Sequence, residues 1–185
     1  MKRADFLKAC LVGVSSCAAC GLGAVDGVGE EDGATGQDAA VDKSLDAMRI
    51  RYAALVALIG RHVPEPTQRT IFRELGRECA RQFKAMTYDK YAGNLDGFLE
   101  EARGPKGWMA SAEHDRTTGV ITIVDRATSC TCPLVKRGVT PAAQCECTLG
   151  WQEETYSRIL GRPVKASLTE SILRGGNRCV FRIET

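Results

Sequence analysis

Apolar residues recur at three- and four-residue spacing from Val41 to Val63, with Leu45, Met48, Tyr52, Leu55, Val56 and Ile59 on one stripe. That period belongs to an amphipathic helix, and Pro64 and Pro66 end it. A second stripe of Ile71, Phe72, Leu75, Cys79 and Phe83 predicts a helix over about 67–85. On that stripe Cys79 reads as a small buried hydrophobe. A shorter helix over 95–102 carries Phe98 and Leu99, and Gly104-Pro105-Lys106-Gly107 breaks the chain after it.

The period then changes from helical to alternating. Segments 108–114 and 119–125, the latter containing V-I-T-I-V, read as strands joined by a turn at Arg116-Thr117-Thr118-Gly119. Residues 148–160 return to helical spacing through Trp151, Tyr156, Ile159 and Leu160, and Gly161 stops them. Glu153-Glu154 on this helix reads as a solvated face. Segments 164–171 and 178–183 are again strands, linked through Arg174-Gly175-Gly176-Asn177. This order predicts an α+β fold: N-terminal helices packed on an antiparallel sheet, with a Cys-rich loop before the last long helix. The expected core is Leu55, Ile59, Phe72, Leu75, Phe83, Trp108, Ile121, Ile123, Trp151, Ile159, Leu160, Val164, Leu168, Phe181 and Ile183.

The first forty residues have a different character. Met1-Lys2-Arg3 supplies positive charge and Ala9 to Ala19 a short apolar run, so 1–24 reads as an export signal. Arg3-Ala4-Asp5-Phe6-Leu7-Lys8 resembles a twin-arginine signal, except that Ala4 stands where the second arginine would be. Val14-Ser15-Ser16-Cys17 resembles a lipobox. Cys17 lipidation, or an uncleaved signal, would anchor the chain to a membrane. The expected location is periplasmic or membrane-anchored. Residues 25–40 are Gly-rich, acidic and nearly free of large apolar side chains, the composition of a disordered tether. That leaves 41–185 as a single domain.

Net charge is +2, and the longest cationic cluster is Lys136-Arg137. Both argue against a nucleic-acid partner. The informative chemistry is the nine cysteines. Cys130 and Cys132 (S-C-T-C-P) and Cys145 and Cys147 (Q-C-E-C-T) form two Cys-x-Cys pairs. In extended segments residues i and i+2 share a face. If the pairs were antiparallel neighbours, 130 would oppose 147 and 132 would oppose 145, and four sulfurs would converge. That arrangement suits a thiolate metal site with Cys130, Cys132, Cys145, Cys147 and Cys179 as candidate ligands. Zinc is the favoured ion, with copper(I) or an iron–sulfur cluster as alternatives. It equally suits two disulfides in an oxidising compartment.

A third possibility is a nucleophilic thiolate, which needs a base within reach. The histidines are His62, at a helix end, and His114, expected in an exposed turn beside Asp115. There is no C-x-x-C, no H-E-x-x-H and no phosphate-binding glycine loop.

The string from Gly150 to Ile183, ending Gly175-Gly176-Asn177-Arg178-Cys179-Val180-Phe181-Arg182-Ile183, resembles the C-terminal part of vinyl reductase-type small-molecule-binding domains. It is similar also to the related aminothiazoline-carboxylate hydrolase-like proteins. The resemblance covers about 108–185. It implies a small α+β domain with a cavity between sheet and helices, in which some relatives bind hydrophobic small molecules and some hold metal through cysteines. Cys179, Gly175 and Gly176 are the positions that match. Two functions are therefore expected. One is an exported, cysteine-cluster, metal-binding domain that takes a small apolar ligand. The other is a cysteine-dependent hydrolase or thiol redox protein with the Cys-x-Cys pairs as disulfides.

Overall fold

The strand segments alternate branched apolar with polar residues, and they pair as that alternation requires. In the computed structural model, which describes residues 36–82 and 88–185, a hairpin of β1 (Met109–Asp115) and β2 (Val120–Asp125) joins β3 (Lys165–Glu170) and β4 (Val180–Glu184) in one antiparallel sheet of order β1-β2-β4-β3. The helices are α1 (Gly36–His62), α2 (Glu65–Gln82), α3 (Leu95–Arg103) and α4 (Cys145–Leu160). The α+β class and the order of elements are as expected. The described residues fall in one unit, Thr35–Thr185. The export segment, with Cys10, Cys17 and Cys20, lies outside the described residues, as do 25–35 of the tether and Phe83. α1 starts at Gly36, five residues inside the stretch read as tether.

Pairing sets Ile121 opposite Ile183 and Ile123 opposite Phe181. These side chains are buried on the face that the helices cover, whereas Thr122, Arg182, Ser167 and Glu113 face outward and are exposed. The β1–β2 turn is closed by the Asp115 carboxylate. It accepts from the backbone N–H and hydroxyl groups of Thr117 and Thr118, which hold its carboxyl below the usual carboxylate range. Gly119 takes the left-handed conformation (φ 68°) that the turn demands.

α3 packs on β1, α4 packs on β3 and β4, and α2 lies against α4. Phe98 of α3 is 1% exposed. The rings of Tyr91, Tyr156 and Tyr88 meet it edge-on at 5.4, 5.6 and 5.7 Å. Each such pair adds about 0.5–1.5 kcal/mol beyond the area buried.

α4 is sandwiched between the sheet and α2, and no residue along it is exposed. Its sheet side is Leu149, Tyr156 and Ile159. Its other side is Gly150 and Glu153. A Cβ on Gly150 would fall on the backbone of Arg73, and one on Gly76 would fall on the Cys147 carbonyl. Two glycines thus let two helix backbones touch.

Three expectations need correction here. Glu153 is buried (4% exposed), not solvated. It accepts from Arg73, from Arg77 at 2.5 Å and from the Ala166 N–H at 3.3 Å. Leu55, Leu75 and Trp108 are exposed by 51%, 44% and 44%. α1 stands on Ala53 and Val56, and the inward face of α2 is Phe72, Gly76 and Ala80, with the close crossing at Gly76 leaving no room for a side chain. β1 continues to Asp115, so His114 pairs with Ile121 on the inner face. It is half-buried, its Nδ1 without a partner among the described residues.

Truncating Glu153 to alanine leaves two guanidinium groups without their shared carboxylate. Glu153→Ala is expected to lower the unfolding free energy by about 2–4 kcal/mol, below the fully buried range because Arg73 and Arg77 keep 29% side-chain exposure. The control is Glu65→Ala, which removes an exposed i,i+4 pair with Arg69 and should cost under about 0.5 kcal/mol. Urea unfolding followed by circular dichroism measures both. Equal costs would refute the bridging role of Glu153.

Candidate thiol site

Pro141 opens a 3-10 turn over Ala142–Gln144 that runs directly into α4 at Cys145. The residues A-A-Q-C-E-C that follow the proline favour helix, so the second Cys-x-Cys pair lies in a first helical turn and not in a strand. On a helix, residues two apart point about 200° apart. Cys145 and Cys147 therefore face different ways, and the expected convergence of four sulfurs does not form. The antiparallel-strand premise for setting 130 against 147 and 132 against 145 does not hold, and the thiols sort into two neighbouring groups, with Cys130 still within electrostatic reach of Cys132 and Cys147.

The first group gathers Cys130, Cys145 and Cys179 around one pocket of about 20 Å³, room for about one water. Gln144, Ser171 and Phe181 complete much of the wall. Cys145 is 5% exposed, and its Sγ is hydrogen-bonded to the Ser171 hydroxyl at 3.1 Å. The Ser171 oxygen also accepts the Leu173 N–H at 3.2 Å. Burial pushes the Cys130 thiol up to about 11, with Cys132, Cys179 and Cys145 adding like charge. Burial also raises Cys179, and the Asp125 carboxylate and Cys145 reinforce the effect. Asp125 lies across the strands from Cys179, its N–H donating to the Cys179 carbonyl at 3.0 Å. Burial alone pushes its carboxyl up to about 6. A more open groove of about 290 Å³ adjoins through Leu168 and Ser171, and Gly175 and Gly176 line it. Gly175, at φ 91°, makes the left-handed turn there.

The second group is Cys132, Cys147 and Cys79, under Tyr52 of α1. Burial pushes Cys147 up to about 12, with the charges of Cys132 and then Cys79 behind it. Cys79 is raised by burial and then by Cys132. Cys132 is raised by burial, which the neighbouring backbone of Leu134 and Val135 partly offsets. Tyr52 is raised by burial and by the charges of Cys147, Cys132 and Cys79. α1 is tied over this group by polar contacts. Tyr52 donates to Gln144 Oε1 at 2.5 Å, Arg49 Nε donates to the Pro133 carbonyl at 2.7 Å, and Lys136 pairs with Asp46 at 2.7 Å.

The five cysteines singled out from sequence thus lie in two adjoining places, three in one and two in the other. Cys79 neighbours the second and is half-buried. Neither histidine lines the thiol pocket. Among the described residues, no three His, Cys, Asp or Glu side chains stand together as a preformed metal site. Sequence reasoning missed Asp125, although a signal was present, since it continues the inward alternation of Ile121 and Ile123. Tyr52, Gln144 and Ser171 carried no such signal.

No protein-family model matches the chain, and no curated protein matches it in sequence. Among solved structures, it is similar to a trafficking protein particle complex subunit 3 from Naegleria fowleri covalently bound to palmitic acid. That match has 12% identity and a TM-score of 0.51, and it covers 77% of this chain and 95% of that one. The phenol-responsive sensory domain of the transcription activator PoxR, with phenol, aligns at 13% identity and a TM-score of 0.40, over 74% and 73% of the two chains. The first similarity shows a shared fold.

Because the thiolate is the reactive form, raised thiols should react slowly in the native chain. At pH 8, alkylation of Cys130 and Cys147 by iodoacetamide is expected to run on the order of tenfold to a hundredfold slower than in urea. The native rate should keep rising with pH toward pH 11, where the unfolded chain has levelled off. Peptide-resolved mass spectrometry reads both curves. A native plateau near pH 8.5 would contradict the burial argument.

Proposed function

We propose that this domain is a small-ligand-binding module whose ligand is a soft metal ion, zinc first, held by Cys130, Cys145 and Cys179. The observation that carries the reading is the meeting of three thiols at one pocket. They come from a loop, a helix N-terminus and the start of a strand, and they share about 20 Å³. That volume fits an ion or a water. It is too small for an iron–sulfur cluster, and an aromatic or acyl ligand would enter only if the pocket opened into the adjoining groove. Soft thiolates select zinc or copper(I) over hard cations. Binding would require the thiols to turn toward a common point and release their protons, so affinity would rise with pH. The Ser171 hydroxyl would orient Cys145, and Gly175 and Gly176 would shape the turn beside it.

A binding role is favoured over nucleophilic catalysis, because no histidine lines the pocket and burial raises the Cys130 and Cys179 thiols. The apolar ligand suggested by the vinyl reductase-type resemblance would occupy the groove beside the metal. The order of charge, apolar run and acidic stretch in the first forty residues supports export, with the domain acting beyond the inner membrane.

The test is zinc titration of the reduced full chain, followed by native mass spectrometry. One ion per chain is expected at this site. Cys130→Ser, Cys145→Ser and Cys179→Ser should each weaken binding by at least about tenfold to a hundredfold, and Cys79→Ser should leave it unchanged. Failure of the wild type to bind zinc, or equal binding by the triple variant, would overturn the proposal.

A further inference from the structure

α1 is longer than the domain beneath it can cover. Its 27 residues span about 40 Å, yet from Val41 onward only Ala53 and Val56 are buried. Its polar ties to the domain, from Asp46, Arg49 and Tyr52, leave the helix on the same side as those two residues. A helix in a protein draws most of its stability from packing an apolar face. α1 has a second apolar face that its own domain leaves bare. Val41, Met48 and Leu55 recur every seven residues, and Leu58 follows one turn later, so they form one line along the helix. Leu55 precedes the buried Val56 by one residue, which turns this line about 100° away from the inner side.

α2 extends the bare surface with Ile71 and Leu75, one turn apart. Leu75 shares its line with Gln68, two turns earlier. The Gln68 amide donates to the Gly60 and Val63 carbonyls, at and just beyond the end of α1, at 3.3 and 2.6 Å. The side of α2 that carries Leu75 thus turns toward α1. The six apolar side chains are 38% to 53% exposed.

Two features say what fits there. The six leave roughly 500 Å² of apolar surface bare, at the upper end of the largest patch on an ordinary monomer. A stable interface takes about 800 Å² from each partner, of which a little over half is apolar. The patch therefore supplies the apolar share of one such interface. The second feature is charge. Arg51 borders the α1 line, is exposed, and its side chain bonds to nothing among the described residues. Glu78 stands two turns beyond Ile71 on α2, with its side chain 55% exposed and held only by Arg81 at 3.3 Å and Gln82 at 3.2 Å. One helix offers a cation and the other an anion, each beside apolar residues. A two-fold axis satisfies both pairs at once, because the surface is then complementary to itself. Crossing α1 on its own copy at Arg51 would instead bring like charges together.

We propose that Val41, Met48, Leu55 and Leu58 of α1 dock against Ile71 and Leu75 of a second copy of this chain, and the reverse, in a two-fold homodimer that sets Arg51 of each copy against Glu78 of the other. The dimer is independent of the metal pocket and needs no zinc and no disulfide.

Sedimentation equilibrium of the full chain, with EDTA and dithiothreitol present, tests this. At about 10 μM the expected mass is twice the 20.0 kDa of the chain. Met48→Glu and Leu55→Glu should each raise the dissociation constant by at least about tenfold. Ile50 is equally exposed but lies two residues from Met48, on another side of the helix, so Ile50→Glu should leave the dimer unchanged. Arg51→Glu should weaken association, and adding Glu78→Arg should restore it. All these positions are exposed, and circular dichroism checks that each variant is folded; if a glutamate variant is not, the charge-reversal pair decides. A monomeric wild type overturns the proposal, and is the result if another segment of this chain or another protein covers the line. A dimer that Met48→Glu and Leu55→Glu leave intact also overturns it, and is the result if the apolar run at 9–19 causes association.

Discussion

A single carboxylate sets where the rest of the structure stands. Glu153 is on the helix that lies between the sheet and α2, and it answers to Arg73 and Arg77 on one side and to the Ala166 backbone on the other. A charge placed so far from solvent is tolerated only when its oxygens are fully used. The two arginines can use them only because Gly76 and Gly150 bring the helix backbones into contact. That closeness fixes the rotation of α4. Rotation decides which cysteine of Q-C-E-C faces the sheet and which faces α2. The division of thiols into two groups is thus inherited from a salt bridge three helical residues beyond Gly150.

Much of this was legible in the chain, and the limits have physical reasons. The strands were readable because V-I-T-I-V and V-F-R-I alternate and are bounded by glycine turns. The α4 C-terminus was readable because Gly161 takes a left-handed conformation there. The start of α4 was not. A spacing of two between cysteines fits a strand face, and only the helix-forming context after Pro141 reveals that the second pair is helical. Leu55 and Leu75 misled because an apolar stripe tells that a helix has an inward side but not how deep each position sits. Close crossings are lined by glycine and alanine, which carry no hydropathy signal. Glu153 was illegible for the converse reason: its partners lie 76 and 80 residues earlier in the chain, and local pattern carries no information at that range.

The two thiol groups show how one side chain takes different roles under different neighbours. Around the ion-sized pocket the sulfurs meet a hydroxyl, an amide and apolar walls. Under α1 they meet a tyrosine and each other. Burial raises the thiols of Cys130 and Cys179 in one group and of Cys132, Cys147 and Cys79 in the other, so the differences among these arise from geometry and access. α1 covers the second group with Tyr52, whose hydroxyl also reaches Gln144 in the wall of the first. It rests there on buried Ala53 and Val56 and through polar contacts, while Met48, Leu55 and Leu58 on the same helix stay exposed.

The crossing of α2 and α4 has a kinetic meaning. Its partners are separated by more than seventy residues, including the whole hairpin and the cysteine loop. Contacts that distant form only after a long loop has closed, so they come late in folding. Until then every thiol in the chain is open to solvent and to every other thiol. Oxidation during that interval would trap pairings the finished fold never brings together. The order of events, reduction held until α2 seats on α4, thus becomes part of what makes the native arrangement reachable.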